Sequence, residues 1–361
     1  SVNRPWMNDP TRDLAYAWGG VAGAGVIRCS ADDFQVDEDL GIEPTGTGEH
    51  VFLRVRKRGL NTREVAQQIG RLAGVRQRNV SYAGLKDRNA VTSQVFSVHM
   101  PGMPDPDWSQ LESEQLQLLL ATRHSRKIRR GALRGNHFVL KIRHCQLQED
   151  VLGQRLEQVA TQGVPNYYRP QRFGHGGNNL ALARSLFDGS LGRVDRELKS
   201  MLLSAVRSRL FNQVLSTRVA EGSWNQALPG DVMIVAGGRG QFPADEPGAV
   251  LLNRVKAQDV HPSGPLCGNA GRSLRPLLEA GELESRVLSG EQFWIQGLER
   301  FGLEQGRRPL RLKVDNLRWQ YHDPVLHLEF SLPAGSYATT VLRELLDTTS
   351  AHTSAHLRDS N

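Results

Sequence analysis

The 361-residue chain has few cysteines and no long apolar run. Its three cysteines, Cys29, Cys145 and Cys267, are widely spaced without a CxxC pair, so neither a disulfide framework nor a thiolate zinc site is indicated. No apolar run approaches the roughly 18 residues of a membrane-spanning helix, and the arginine-punctuated N-terminus lacks a signal-peptide core. We therefore expect a soluble protein of the reducing cytoplasm with no membrane partner.

Motifs for common cofactors are also absent. The sequence contains neither a GxxxxGK[ST] phosphate loop nor an HExxH zinc motif. The glycine-rich segment 19–25 lacks GxGxxG spacing and follows no predicted strand, which argues against a dinucleotide site. Histidines such as His175, His261 and His327 stand in unrelated contexts, and we interpret most of them as structural or surface residues. The sequence thus predicts a chain without a cofactor or a metal ion.

Positive charge is concentrated in two segments. The net charge is only +7, from 45 Lys+Arg against 38 Asp+Glu. Residues 51–90 hold ten basic and two acidic residues, and residues 123–143 hold eight basic residues and no acid. Segregated positive charge is typical of phosphate binding, because each neutralised phosphate releases condensed counterions. The alternative interpretation is a solvated basic face on an ordinary enzyme.

Hydrophobic periodicity predicts both strands and helices. Glycine and proline are enriched over 221–275, which indicates a loop-rich or short-stranded region and a candidate inserted module. The predicted elements are a strand over 50–56, a helix capped by Asn61 or Thr62 and stopped at Gly74, strands near 80–83 and 91–98 around the turn 86–89, helices near 151–159 and over 195–220, strands over 310–314 and 326–330, and a helix over 338–346. Because these elements do not alternate as βαβ units, we predict an α+β fold with a mixed or antiparallel sheet.

Two segments could carry chemistry. Asp87 is a single carboxylate within a cationic stretch, and nearby cations favour its ionised form, as a nucleophile or base requires. From spacing alone, an ordinary turn residue is the more probable interpretation of Asp87. Residues 164–179 mix aromatics, arginines and amides, which suits stacking on an unpaired base but equally suits an aromatic core cluster.

Seven blocks of the chain resemble, in order, those of the TruD family of pseudouridine synthases, and together they span about residues 26–348. The blocks are DFxVxE at 33–38, GEH at 48–50, GxKDxxAxTxQ at 84–94, LxGNxF at 133–138, NYYxxQRFG at 166–174, SAxRSxLFN at 204–212 and LPAGSYAT at 332–339. Seven collinear blocks are far more specific than one motif, and they favour a functional Asp87 over a turn residue.

The resemblance implies an enzyme that isomerises uridine to pseudouridine in RNA, with uridine 13 of transfer RNA as the bacterial substrate. It also implies a reaction without cofactor or catalytic metal. The implied fold is a mixed-sheet catalytic domain, residues 1–191 plus 312–361, interrupted by an inserted domain over 192–311, with a basic cleft between them. We expect a monomer without an obligate protein partner, because no amphipathic stripe is left over.

The resemblance also implies roles for individual residues. Asp87 would be catalytic, either as a nucleophile or as the base that removes the C2′ proton, with Arg28 as its basic partner. The substrate-binding residues would be Phe34, Lys86, Asn166, Tyr168 and Tyr337. The residues expected on the RNA backbone are Arg126, Lys127, Arg129, Arg130 and Arg172.

The chain departs from the family pattern at three places. Arg28 stands where lysine is expected, which keeps the charge but adds a planar fork. Tyr168 and Tyr337 stand where phenylalanine is usual, and their hydroxyls need partners. Arg169-Pro170 stands where a glycine is usual, and the proline restricts the backbone of that loop.

Two other functions stay open at the level of sequence. One is pseudouridine formation in another RNA, because phosphate contacts carry little sequence information. The other is a catalytically idle protein that binds or folds RNA. An intact Asp87, which we expect to be buried within Lys86-Asp87-Arg88, argues against the idle protein.

Overall fold

The computed structural model describes residues 9–351 and contains sixteen strands and eight helices within them. The strands are β1 (Gly23–Ile27), β2 (Phe34–Asp39), β3 (His50–Arg58), β4 (Val80–Tyr82), β5 (Val91–His99), β6 (Leu116–His124), β7 (Gly135–Leu147), β8 (Val164–Pro165), β9 (Asp231–Val235), β10 (Gln241–Ala244), β11 (Val260–Leu266), β12 (Gly306–Pro309), β13 (Arg311–Leu312), β14 (Asp315–His322), β15 (Val325–Pro333) and β16 (Asp347–Ser350). The helices are α1 (Thr62–Ala73), α2 (Glu149–Gln162), α3 (Asn178–Phe187), α4 (Arg196–Ala220), α5 (Ala249–Lys256), α6 (Leu278–Leu288), α7 (Gln292–Arg300) and α8 (Ala338–Leu342). None of these helices is long and apolar enough to cross a membrane.

These elements form two compact units. The first unit comprises the chain up to Gly20, Arg155–Lys313 and Thr339–Glu344, and the second comprises Val21–Gln154, Val314–Ala338 and the chain from Leu345. The predicted insertion over 192–311 falls inside the first unit. The division into 1–191 plus 312–361 and 192–311 stays a prediction, and its outer ends, 1–8 and 352–361, lie outside the described residues.

A ten-stranded mixed sheet forms the second unit. Its main path runs β14-β15-β7-β2-β5-β3-β6, while β1 joins β7 and β16, and β4 joins β5. The β2–β5 and β1–β16 pairs are parallel, and the other pairs are antiparallel. The predicted α+β class with a mixed sheet is therefore confirmed.

Helix α1 packs on this sheet as its sequence predicts. Asn61 and Glu64 form a reciprocal capping box at its start, and Gly74 ends it with φ 69°, a left-handed conformation that glycine adopts without strain. Val65 and Ile69 are fully buried against the apolar face of β3. The predicted strand over 50–56 is confirmed, and it continues to Arg58.

The first unit is organised around helix α4. Asp195 caps this helix by accepting the Leu198 N–H at 2.7 Å, and the predicted helix over 195–220 is confirmed. The glycine- and proline-rich stretch contributes β9, β10 and β11 to a sheet ordered β10-β9-β11-β12, together with α5. This stretch is therefore short-stranded, as expected.

Two predicted elements near the C-terminus differ from the structure. The strand predicted over 310–314 is limited to β13, and β14 was not predicted, although Leu317, Trp319 and Tyr321 alternate with polar residues along it; most of its side chains are exposed. The helix predicted over 338–346 ends at Leu342. Buried polar contacts replace its next turn: Arg343 donates to the Ala15 carbonyl at 3.3 Å, and Glu344 accepts the Ala17 N–H at 2.8 Å.

Candidate active site

Asp87 lies in the loop between β4 and β5, in the second unit. Its Oδ1 accepts the Asn89 N–H at 2.8 Å, and its Oδ2 lies 3.0 Å from Nη2 of Arg28. The expectation of a buried carboxylate is wrong, because this turn lies at the surface and leaves the side chain 39% exposed. Asp87 thus makes the hydrogen bond of a turn residue and also offers an accessible carboxylate paired with a cation.

Arg28 is held between this carboxylate and an aromatic ring. It follows β1 with φ 55°, and its guanidinium lies 4.1 Å from the centre of the Phe34 ring. Phe34 begins β2, is 4% exposed and packs edge-on against Phe138 at 6.4 Å. A cation over an aromatic face is attracted by the ring quadrupole, so Phe34 fixes the guanidinium that faces Asp87.

Lys86 turns away from the solvent toward a buried acid. Its Nζ lies 3.3 Å from Oε2 of Glu38, and the two side chains are 7% and 0% exposed. Burial raises the pKa of Glu38, and the nearby Lys86 ammonium partly offsets this rise. Oε1 of Glu38 also accepts the Val95 N–H at 3.2 Å. The substrate-binding role of Lys86 stays a prediction, and its ammonium anchors the Asp87 loop to β2.

Two polar residues of this unit were not identified from the sequence. Lys57, on β3, is 1% exposed and donates from Nζ to the main-chain carbonyl of Asp87 at 3.0 Å. Asn136, on β7, is 9% exposed, pairs with Glu38 across the sheet, and its Oδ1 has no hydrogen-bond partner among the described residues. Lys57 follows the buried series of β3 that begins at Val51, with a residue at every second position, and this spacing was a signal for its burial. Asn136 lies in the block LxGNxF at 133–138 that resembles the family.

Asn166 and Tyr168 belong to the first unit and have partners there. Asn166 donates from Nδ2 to the Pro309 carbonyl at 2.9 Å and accepts from Arg308 at 3.0 Å. The Arg308 guanidinium lies 3.8 Å from the centre of the Tyr168 ring, which packs edge-on against Phe211. This part of the 164–179 segment is an aromatic cluster, so contacts of Asn166 and Tyr168 with substrate stay predictions.

The neighbouring Arg169-Pro170 pair keeps the loop regular. Arg169 is extended at φ −97° and ψ 168°, the conformation that a following proline favours. Pro170 opens a short 3-10 turn that ends at Phe173, which is fully buried. The departure from the family pattern at this pair is therefore accommodated without backbone strain.

The residues predicted on the RNA backbone fall into two groups. Four exposed cations follow β6. All but the last of them line a groove of about 1160 Å³, whose apolar wall includes Phe52 and Ile128. The four are Arg126, Lys127, Arg129 and Arg130. Arg172 differs, because its Nη1 donates to Ser204 Oγ at 2.8 Å in the first unit.

Tyr337 lies on the loop that follows β15 and is 59% exposed. Its ring is therefore available for stacking. Among residues 9–351, no three histidine, cysteine or acidic side chains come together as a candidate metal site.

The chain matches proteins of one family over nearly its whole length. The family model described as tRNA pseudouridine synthase D (TruD) matches residues 14–189 and 178–345. A tRNA pseudouridine synthase D of Methylococcus capsulatus is 50% identical over 336 residues, covering 93% of this chain and 94% of the relative. One from Pseudomonas aeruginosa is 49% identical over 334 residues, covering 92% and 93%.

A solved structure agrees on the fold. The crystal structure described as TruD of Methanosarcina mazei has a TM-score of 0.77 and covers 95% of this chain and 98% of its own. At 21% identity, this likeness shows the fold alone. Together with the family match and the close relatives, it leads to one conclusion. The chain belongs to the tRNA pseudouridine synthase D (TruD) family.

Proposed function

We propose that the chain isomerises uridine 13 of transfer RNA to pseudouridine, with Asp87 acting on the ribose of the target nucleotide. Membership of the family makes the chain an isomerase that forms pseudouridine in tRNA. The accessible Asp87 carboxylate, 3.0 Å from Arg28, is the observation that supports its role most directly. The choice of uridine 13 rests on the resemblance to bacterial members of the family.

The reaction exchanges one bond to the ribose for another. The N1–C1′ bond of uridine breaks, uracil turns, and C5 bonds to C1′; C5 then loses its proton and N1 gains one. A stacked base cannot turn in place, so the nucleotide must first leave the stack at a cost of a few kcal/mol. A carboxylate on an exposed loop, such as that of Asp87, can meet an extruded nucleotide.

Asp87 can begin this exchange in two ways. Its carboxylate can attack C1′ as a nucleophile, or it can remove the C2′ proton and give a glycal. Both routes need an ionised carboxylate next to the ribose. In both, Arg28 balances the charge of Asp87, and the Phe34 ring keeps Arg28 in place.

The uracil needs an aromatic surface and a polar partner once it has left the stack. Base stacking on an aromatic side chain contributes about 1 to 3 kcal/mol, and the exposed Tyr337 ring is suited to it. Phe34 is buried under Arg28, so its ring meets the guanidinium, and its contact with the base stays a prediction. The Oδ1 of Asn136 has no hydrogen-bond partner among the described residues but is buried, so it becomes an acceptor for an N–H of the base only if the surface over it opens when the nucleotide enters.

The exposed cations after β6 fit the RNA backbone. Phosphate contacts position an RNA without reading its sequence, and cations in open solvent can make them at little desolvation cost. Arg126, Lys127, Arg129 and Arg130 have this exposure. Arg172 donates one N–H to Ser204, which leaves its other N–H groups for a phosphate.

Tritium release from C5-tritiated, unmodified tRNA tests the function. We expect release by the wild type, at uridine 13 when pseudouridine is mapped by chemical blocking, and none by Asp87→Asn, which should still bind the tRNA. Asp32→Asn is the matched control, because Asp32 is also an exposed carboxylate paired with an arginine, Arg58, in the same unit. Normal turnover by Asp87→Asn would exclude Asp87 as the catalytic residue.

Other outcomes separate the remaining functions. Release mapped to another position, or only from another RNA, would keep the chemistry and change the substrate. Binding of tRNA without release from any RNA would favour a protein that binds or folds RNA.

A further inference from the structure

The main chain of the Asp87 loop is fixed by buried side chains beneath it. Thr62 Oγ1, at the start of α1, accepts the Lys86 N–H at 2.9 Å and donates to Oε1 of Gln94 on β5 at 3.1 Å. The Gln94 amide in turn donates to the Gly84 carbonyl. Thr62 and Gln94 are both buried, so the loop is tied to the sheet on the side that leads into Asp87.

Lys57 makes the contact at Asp87 itself. Its chain runs through the core of the second unit, and its Nζ reaches the Asp87 carbonyl at 3.0 Å. Among residues 9–351, this carbonyl is its one hydrogen-bond acceptor. The charged groups that act on Lys57 are Asp87 and Lys86 of the loop and Glu64 of α1; its neighbours across the sheet, Thr92 on β5 and Leu116 on β6, are uncharged.

A buried ammonium with a main-chain carbonyl as its acceptor is an unfavourable arrangement for folding alone. Burial disfavours its charged form and lowers the pKa of Lys57 to about 8, despite the attraction of Asp87. A methionine of similar length would fill the same space without that cost. The position of Lys57 is better explained by what its hydrogen bond and charge do for Asp87.

We propose that Lys57 is a positioning residue of the reaction, which fixes the Asp87 main chain by its hydrogen bond and faces the carboxylate loop with its positive charge. This role rests on the proposed function of Asp87. Lys57 is 1% exposed, which keeps it out of reach of an RNA on the surface, so it acts through its contact with Asp87. A carboxylate displaced by about 1 Å can lose on the order of a hundredfold in rate, because the reacting atoms no longer align.

The kinetic test uses the full chain with C5-tritiated tRNA. We expect Lys57→Met to lower kcat by about ten- to a hundredfold with KM unchanged, and Lys57→Gln, which keeps a donor without the charge, to lie between Met and the wild type. Lys256→Met, at an exposed position on α5, is the matched control and should behave as wild type. Normal kcat in Lys57→Met, or an effect confined to KM, would overturn the inference.

The pH profile provides a second test that needs no variant. As Lys57 loses its proton, the loop loses the charge beneath it, so wild-type kcat should fall on the alkaline side with an apparent pKa of about 8. This alkaline fall should be missing from the low, flat profile of Lys57→Met. A wild-type kcat that stays constant through this range would overturn the role of the charge even if every variant misfolded.

The outcomes distinguish this inference from the function on which it rests. No pseudouridine formation by the wild type, or full turnover by Asp87→Asn, would remove the proposed function. An active wild type with an inactive Asp87→Asn and an unimpaired Lys57→Met would leave the function intact and remove only the positioning role.

Discussion

Replacing Lys57 with methionine should make the folded chain more stable at neutral pH while it lowers turnover. Burial lowers the pKa of Lys57 from 10.5 to about 8. This difference of roughly 2.5 pKa units means that the charged lysine costs the folded state about 3 kcal/mol. Methionine removes that cost and also removes the hydrogen bond to the Asp87 carbonyl, worth about 1 kcal/mol. The expected net gain at about pH 7 is therefore about 2 kcal/mol.

The sign of this difference should change with pH. Between about pH 8 and the unfolded value of 10.5, the unfolded chain binds the Lys57 proton and the folded chain does not. Wild-type stability therefore rises with pH in this interval. The cost of the charge falls from about 3 kcal/mol below pH 8 to about 1 kcal/mol at about pH 10 and disappears at higher pH. The wild type should then equal and finally exceed Lys57→Met in stability, by the hydrogen bond it retains.

Urea denaturation of both proteins, followed by tryptophan fluorescence at several pH values, measures this difference. Trp108 is buried in the same core cluster as β3, so it adds a signal from the region around Lys57 to the total emission of the six tryptophans. Subtracting the two curves of unfolding free energy against pH cancels the contributions of all groups that titrate equally in both proteins. Lys256→Met controls for the loss of one lysine charge. A difference that does not vary with pH, or a variant less stable at neutral pH, would refute the buried-charge reasoning.

Three further substitutions test other parts of the structure. Changing Arg129 and Arg130 together to alanine should weaken the binding of all RNAs similarly and reduce the slope of log affinity against log salt by about two, as measured by filter binding. An unchanged slope would show that these arginines do not contact the RNA backbone. Arg28→Met should lower single-turnover rates by at least about tenfold at unchanged RNA affinity, because Asp87 loses the cation 3.0 Å away, and a normal rate would contradict the pairing role. Burial, and then neighbouring cations, lower the pKa of His261 to about 3 from 6.5, so stability is fully present above about pH 6.5 and should fall toward pH 3 by about 1.4 kcal/mol per pH unit. Urea midpoints of His261→Asn should fall less steeply over that range, and parallel curves would contradict this assignment.

Much of the fold was predictable because local sequence determines it. The capping box of Asn61, the glycine that ends α1 and the apolar series of β3 act within one element, and each was found where the sequence indicated it. Strand β14 was overlooked although its alternating Leu317, Trp319 and Tyr321 were a local signal; it is mostly exposed and pairs with β15 at the end of the main sheet path. The end of α8 was misjudged because long-range contacts of Arg343 and Glu344 replace its last turn.

The candidate site was predictable where chemistry and motif coincide. Asp87 and Arg28 lie together as expected, although 59 residues separate them in the sequence. The exposure of Asp87 was misjudged, because charge density alone says nothing about whether a loop lies at the surface. Lys57 was counted only as one of many cations. Its burial follows from the strand continuing two residues beyond the predicted end, which places it on the inner face after Val55.

Strand β2 makes the geometry of the site depend on the register of the sheet. Phe34 and Glu38 stand four residues apart on the same buried face of β2, one under Arg28 and the other against Lys86. Because successive side chains alternate between faces, a slip of one residue would turn both away together. The parallel contact with β5 and the antiparallel contact with β7 hold that register from two sides. A shift of the whole strand by one residue would therefore separate both supports from the Asp87 loop at once, so the alignment of β2 is a common reference for the Asp87 carboxylate and Arg28.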